Sequence, residues 1–144
     1  MYTSLFQVVI SGKLCRELSL QPLFRILGFG DAAKEPAEFT TAPAAAIPRA
    51  LAHAGVNIED IQYHEINEAF AVVPLVNARI LNLDLNCINV HGGAVALGHP
   101  IGCSGARIIG TLYSVLKHQD ATLGCASICN GGGGASAIVI ERLT

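Results

Sequence analysis

The chain has 144 residues, of which 51% are hydrophobic and 14% charged, and its formal net charge is −2. Those totals fit one domain with an oily α/β core, or a domain that keeps some apolar surface for another domain or subunit. They exclude the basic footprint of a nucleic-acid binder, and no apolar run reaches the ~18 residues of a membrane span.

Residues 5–10 form a short apolar, β-branched run that reads as a buried strand. Ser11 is placed to cap a short helix reaching Leu18, and Gln21-Pro22 breaks it. Residues 23–30 read as a second strand that ends in glycines, and residues 31–41 as a polar loop. A helix is expected from Thr41, with Pro43 tolerated in its first turn, Pro48 kinking or dividing it, and Gly55 stopping it. Residues 57–60 look like a capped turn ahead of a strand over 62–66. Asn67 then caps a strong helix whose face is Phe70, Val73, Pro74, Asn77 and Leu81, bent at Pro74. Residues 87–91 read as another short strand. A helix over 103–117 places Ile108, Leu112, Tyr113 and Leu116 on one face, with Lys117-His118 suiting the C-terminal end of its dipole. Strands over 122–128 and 135–140 flank a glycine run at 131–134 that is close to a hairpin connection. The expected fold class is α/β: a mixed sheet with packed helices, ending in an antiparallel pair.

The chemistry gathers in the loops. His99 lies in Gly92-Gly93-Ala94-Val95-Ala96-Leu97-Gly98-His99-Pro100, an imidazole among small, sharply turning residues. It is either a ring fixed in a turn to hold the loop, or an acid, base or hydrogen-bond donor at neutral pH. Cys129 ends a strand and precedes Asn130-Gly131-Gly132-Gly133-Gly134. A free cysteine is usually a small buried hydrophobe, yet strand ends are where α/β sheets collect reactive groups. Backbone N–H groups from Gly131 onward are free to meet an oxyanion or a thiolate. Helix capping alone accounts for Asn67-Glu68, although a neutral, bifunctional Asn67 is equally able to orient a water. Cys15, Cys87 and Cys103 read as packing, and His53, His64, His91 and His118 as structure or solvent-facing residues. Five cysteines without a Cys-x-x-Cys give neither a secreted disulfide frame nor a metal site.

Taken together, Asn67-Glu68-Ala69-Phe70, the glycine-histidine loop and Cys129-Asn130-Gly131-Gly132-Gly133-Gly134 resemble, in order and spacing, the three C-terminal signatures of the thiolases. The Cys-Asn-Gly-Gly-Gly-Gly-Ala-Ser-Ala form is most similar to the acetoacetyl-CoA thiolase (acetyl-CoA C-acetyltransferase) branch, and the likeness runs from about Val8 to Leu143. It implies residues 21–144 as the C-terminal domain and residues 1–20 as a remnant of the N-terminal one.

The resemblance also implies a reversible Claisen condensation of two acetyl-CoA molecules to acetoacetyl-CoA and CoA, with the thioester as substrate and no tightly bound cofactor or metal. His99 matches the histidine that activates a nucleophilic cysteine and helps hold the thioester oxygen. Cys129 matches the acid/base cysteine, Asn67 the residue holding an oxyanion-hole water, and Gly131 a backbone donor of the second oxyanion hole. None of the five cysteines lies in the nucleophile's context, so the missing N-terminal half becomes the first partner and the isolated chain is expected to be inactive. A homo-oligomer is expected, and a lone half should self-associate through exposed apolar surface. His99 and Cys129 should converge on one small cavity. Two other readings share the likeness: a non-enzymatic acyl-CoA-binding or interaction module, and a 3-ketoacyl-CoA thiolase of longer chain preference. Residues 1–10 lack a signal-peptide pattern, and the expected location is cytoplasmic, with mitochondrial and peroxisomal alternatives open.

Overall fold

The computed structural model describes residues 4–144; residues 1–3, part of the expected remnant, lie outside them. Helix α1 spans Gly12–Glu17, β1 Phe24–Ala33, α2 Pro43–Ala54, β2 Tyr63–Ile66 and α3 Val72–Leu81. They are followed by α4 at Ala94–Leu97, α5 at Ser104–His118, β3 at Leu123–Cys129 and β4 at Gly134–Arg142. The four strands form one mixed sheet in the order β1-β4-β3-β2, with β2 parallel to β3 and the other pairs antiparallel. That is the α/β class expected, with the closing antiparallel pair in place.

Helices cover both faces. On one side α2 packs on β1 and β4, and Ala46, Ile47, Ala50, Ile66, Val73 and Val139 form the larger core. The approach is close because β1 carries bare backbone there. A Cβ on Gly28 would stand 2.5 Å from the Ala54 nitrogen, and one on Gly30 2.6 Å from the Ala50 nitrogen. On the other side α5 lays Ile108, Leu112 and Leu116 over β3 and β2, its apolar stripe recurring every four residues. The rest of that face is open: an apolar cleft of about 250 Å³ lies between α5 and the sheet, lined by Phe29, Ile109, Ile128 and Ile138 among others.

Several expectations need correction. Residues 5–10 pair with no strand among the described residues, and Phe6 and Val8 are 89% and 91% exposed. An apolar alternation makes a strand only where a neighbour supplies the ladder. β1 runs three residues past Gly30, so Asp31–Ala33 pairs with β4 rather than looping, and Pro36–Thr41 winds as a 3-10 helix. α2 passes through Pro48 undivided; the proline lies on the exposed side, where a missing backbone bond opens toward water. α1 is capped by the Ser11 hydroxyl as expected, but it ends before Gln21-Pro22, with Ser19 in left-handed backbone.

Asn67 caps no helix. α3 starts five residues later at Val72, which leaves Phe70 exposed outside it and makes Pro74 its third residue. The first N–H groups of a helix have no partner within it, so proline there costs nothing and bends nothing. Residues 87–91 form no strand either. Leu85–Cys87 is a 3-10 turn, and Ile88 makes a single bridge to His64. Asn89, in left-handed backbone, turns its side-chain amide onto β2 instead. Its Oδ1 accepts from the Ile66 N–H at 2.9 Å and its Nδ2 donates to the Ile66 carbonyl at 2.8 Å. One side chain does there what a peptide unit of a fifth strand would do.

Candidate active site

The parallel pair positions the site. The Asn67 N–H donates to the Ser127 carbonyl at 2.9 Å, the last rung between β2 and β3, and Cys129 lies two residues further along β3. Asn67 and Cys129 thus stand at the carboxyl ends of neighbouring parallel strands, the usual place for ligands in open α/β sheets.

The side chain of Asn67 is buried, and two groups meet it. Arg107 Nη2, from α5, donates to Asn67 Oδ1 at 3.2 Å, and Asn67 Nδ2 lies 3.4 Å from His99 Nε2. The other ring nitrogen of His99 lies 2.6 Å from the hydroxyl of Ser104, the first residue of α5. That hydroxyl also donates to the Pro100 carbonyl at 3.1 Å. Behind Arg107 stands Glu65, 3.5 Å from Nη1 and almost fully buried. Burial pushes the Glu65 carboxyl up to about 8, against the lowering pull of Arg107 and with a smaller push from Glu68.

His99 reaches Asn67 because of a lock between the first two motifs. Glu68 accepts from the Val95 N–H at 2.9 Å, at the start of the short helix α4. The carboxylate lies directly on Gly93, where a Cβ would be 2.3 Å from it. α4 then ends at Gly98, whose φ of 94° and ψ of 162° belong to a region open essentially to glycine alone, and the next residue is His99.

The third motif is a tight connection between β3 and β4. The Asn130 N–H donates to the Gly134 carbonyl and the Gly133 N–H to the Asn130 carbonyl. Asn130 Oδ1 accepts from the N–H groups of Gly132 at 3.1 Å and Gly134 at 3.3 Å. Gly131 alone in this turn has an N–H with no acceptor among the described residues, and it is exposed. Cys129 itself is buried, makes no side-chain hydrogen bond among the described residues, and has its thiol pushed up by burial, which its own backbone hydrogen bond partly opposes. Its resting form is the thiol; once formed, a desolvated thiolate is the stronger base.

Asn67 and His99 are therefore in contact, while Cys129 and Gly131 lie at the same end of the sheet without bonding to either. The apolar cleft described above is lined by none of the four. Ser104 and Arg107 hydrogen-bond to the predicted residues, Glu65 stands 3.5 Å behind Arg107, and all three were missed in the sequence. Their signal was there: Arg107 is the one charged residue in the first three turns of an apolar helix, and Glu65 the one acid inside a buried strand. The remaining cysteines behave as packing, with the Cys125 thiol pushed up to about 12 by burial, and all five are free. His64 is buried with neither ring nitrogen hydrogen-bonded. No cluster of His, Cys, Asp and Glu suited to a metal occurs among the described residues, and no described helix is long and apolar enough to cross a membrane.

Known proteins resemble this chain in sequence and fold. Residues 20–142 match the family described as thiolase, C-terminal domain. An acetyl-CoA acetyltransferase of Gibberella zeae, named as cytosolic, is 57% identical over 94% of this chain and 34% of its own length. The acetyl-CoA acetyltransferase of Saccharomyces cerevisiae is 56% identical over the same shares. A thiolase from Ascaris suum, solved in complex with coenzyme A, superposes with a TM-score of 0.86 at 48% identity, covering 92% of this chain and 34% of that one. The chain spans about a third of the length of these relatives, and it belongs to the thiolase family, whose C-terminal domain it carries.

Proposed function

We propose that this chain is the C-terminal catalytic part of an acetyl-CoA acetyltransferase, with residues 21–144 as that domain and residues 1–20 as the end of an N-terminal one. The contact of Asn67 with His99, at the carboxyl end of the parallel pair that also ends in Cys129, is the observation that carries it. The relatives' names support acetyl transfer, and the start of the family match at residue 20 supports the domain division.

In this reading a cysteine of the N-terminal part attacks the carbonyl of the first acetyl-CoA. His99 Nε2 takes the thiol proton, and the departing CoA sulfur takes the proton of the Cys129 thiol, which leaves Cys129 as the thiolate. The Cys129 thiolate then removes the α-proton of the second acetyl-CoA. The enolate carbon attacks the acyl-cysteine carbonyl and expels the cysteine sulfur, which recovers its proton from His99. His99, with a water held by Asn67, and the unpaired Gly131 N–H supply the donors for the two oxyanions. Removing such a donor costs on the order of 10²–10³ in rate, and removing the base roughly 10²–10⁴. A cytoplasmic location and a homo-oligomeric assembly belong to the same proposal. Exposed apolar residues such as Phe6, Val8 and Ile101 support burial against another domain or copy.

The test joins this chain to the N-terminal two thirds of the Saccharomyces cerevisiae relative and measures acetoacetyl-CoA formation and thiolysis. The joined protein should be active, and the isolated chain should be inactive and self-associated by sedimentation. His99→Ala and Cys129→Ser should each cut the rate by about 10²–10⁴. A folded, assembled chimera that is inert, or that tolerates both substitutions, contradicts the assignment.

A further inference from the structure

Five groups join into one hydrogen-bonded chain: Arg107, the Asn67 amide, the His99 ring, the Ser104 hydroxyl and the Pro100 carbonyl. The three in the middle can each donate or accept, so none fixes a direction alone. The two ends can. A guanidinium has only donors and a carbonyl only lone pairs, so every proton between them must point from Arg107 toward Pro100.

We propose that Arg107 is a positioning residue that sets the tautomer of His99: by claiming Asn67 Oδ1 it turns the Asn67 NH2 onto His99 Nε2, so that Nε2 stays bare and Nδ1 carries the proton. The Nδ1–H then donates to Ser104, whose own proton goes to the Pro100 carbonyl, and no group is left with two protons or none. The direction is robust because Arg107 never titrates in a protein. Glu65, on β2, stands on the far side of the guanidinium, 3.5 Å from Nη1. No ion pair reaches the His99 ring among the described residues, so its neighbours in the chain decide its proton.

The inference rests for its meaning on the function proposed above. A histidine that must take a thiol proton through Nε2 needs that nitrogen unprotonated beforehand, and the wrong tautomer would be as inert as no base. Arg107 touches no reacting atom in this scheme. It acts through Asn67.

The tautomer is measurable without turnover. Magic-angle-spinning NMR of protein labelled with ring-15N histidine tolerates self-association, and the chain has five histidines. His99 is identified as the signal lost in His99→Gln. In the unaltered chain at neutral pH the Nδ1–H form should exceed the Nε2–H form by on the order of tenfold, the worth of one net hydrogen bond. Arg107→Met removes the donor and frees the amide, and the ratio should fall at least several-fold. Arg107→Lys should restore most of it. An Nε2–H form in the unaltered chain overturns the proposal. So does an Arg107→Met variant with unchanged circular dichroism and an unchanged His99 ratio.

Should Arg107→Met fail to fold, Asn67→Asp decides, because its carboxylate still accepts from Arg107. Facing Nε2 with an acceptor instead of a donor, it should bring a proton onto Nε2, so that the bare-Nε2 signal of His99 is lost at neutral pH. A bare Nε2 that persists in this variant overturns the proposal. These readouts need no N-terminal part, so an inert chimera leaves them standing, and a failed tautomer result leaves the acetyltransferase assignment standing.

Discussion

The contact of Glu68 with Gly93 yields a test in which the sign of an effect, not only its size, is fixed by geometry. Gly93 has φ −122° and ψ −165°, extended backbone that alanine adopts without strain. Substituting alanine should therefore stabilise by about 0.4–1 kcal/mol through the unfolded chain, if nothing stood in the way. Glu68 does: its carboxylate would be 2.3 Å from the new Cβ, so it must swing away and give up the Val95 N–H. A hydrogen bond to a charged group is worth about 1.5–3 kcal/mol, so Gly93→Ala should cost about 1–2 kcal/mol net. Remove the obstacle first with Glu68→Ala, and the same Gly93→Ala change should become neutral or slightly stabilising. The assay is a double-mutant cycle by urea unfolding, followed by hydrogen exchange at the Val95 amide. Equal cost of Gly93→Ala in both backgrounds would refute the lock between the first two motifs.

Three further outcomes follow from buried polar groups. Burial raises the folded Glu65 pKa to about 8 from 4.5, so its contribution is fully present below the unfolded value and is lost as pH rises through about 8. Glu65→Gln should flatten the fall in urea midpoint over that window; an unchanged slope contradicts it. His64 has the opposite sense, lowered to about 4 from 6.5, so the loss of stability as pH falls through that range should survive in Glu65→Gln. Asn77 is fully buried on α3, where its Oδ1 accepts from the Ala44 N–H in the first turn of α2 at 2.7 Å. Its Nδ2 donates to the Thr40 and Val73 carbonyls, each at 2.7 Å. At about 1 kcal/mol for each of these bonds, Asn77→Ala should cost roughly 3 kcal/mol in urea denaturation, and a loss under ~1 kcal/mol would show that water replaces the amide.

Much of the fold was legible because local signals agreed with it. Ser11 caps α1, Gly55 ends α2, the Asn57–Asp60 turn closes a capping box, and the stripe of Ile108, Leu112 and Leu116 marks α5. The errors share one cause: side chains and distant partners that no local window contains. Residues 5–10 have the pattern of a strand and lack its neighbour. Asn67 has the position of a cap, but Arg107 and His99 hold its amide from 40 and 32 residues away. Asn89 looks like part of a strand, yet it meets β2 through its backbone N–H to the His64 carbonyl and its side-chain amide on Ile66. Of the candidate site, His99, Cys129 and Gly131 were visible as groups set among glycines, and Asn67 by its own motif. Ser104 and Arg107 were not, because what matters in them is the direction of a hydrogen bond, and Glu65 was not, because its contact is with a guanidinium 42 residues away.

The amide of Asn89 on β2 has a consequence for assembly. Ile66, the residue that would offer its peptide group to an incoming chain at that margin, is already satisfied on both its N–H and its carbonyl. A further strand, native or from a misassembling neighbour, can extend this sheet only along Phe24–Ala33, where the irregular step between Ile26 and Gly28 interrupts the register. One corked rim and one notched rim leave little room for edge-to-edge polymerisation, so clumping of this chain should proceed through its greasy faces and not through β-stacking.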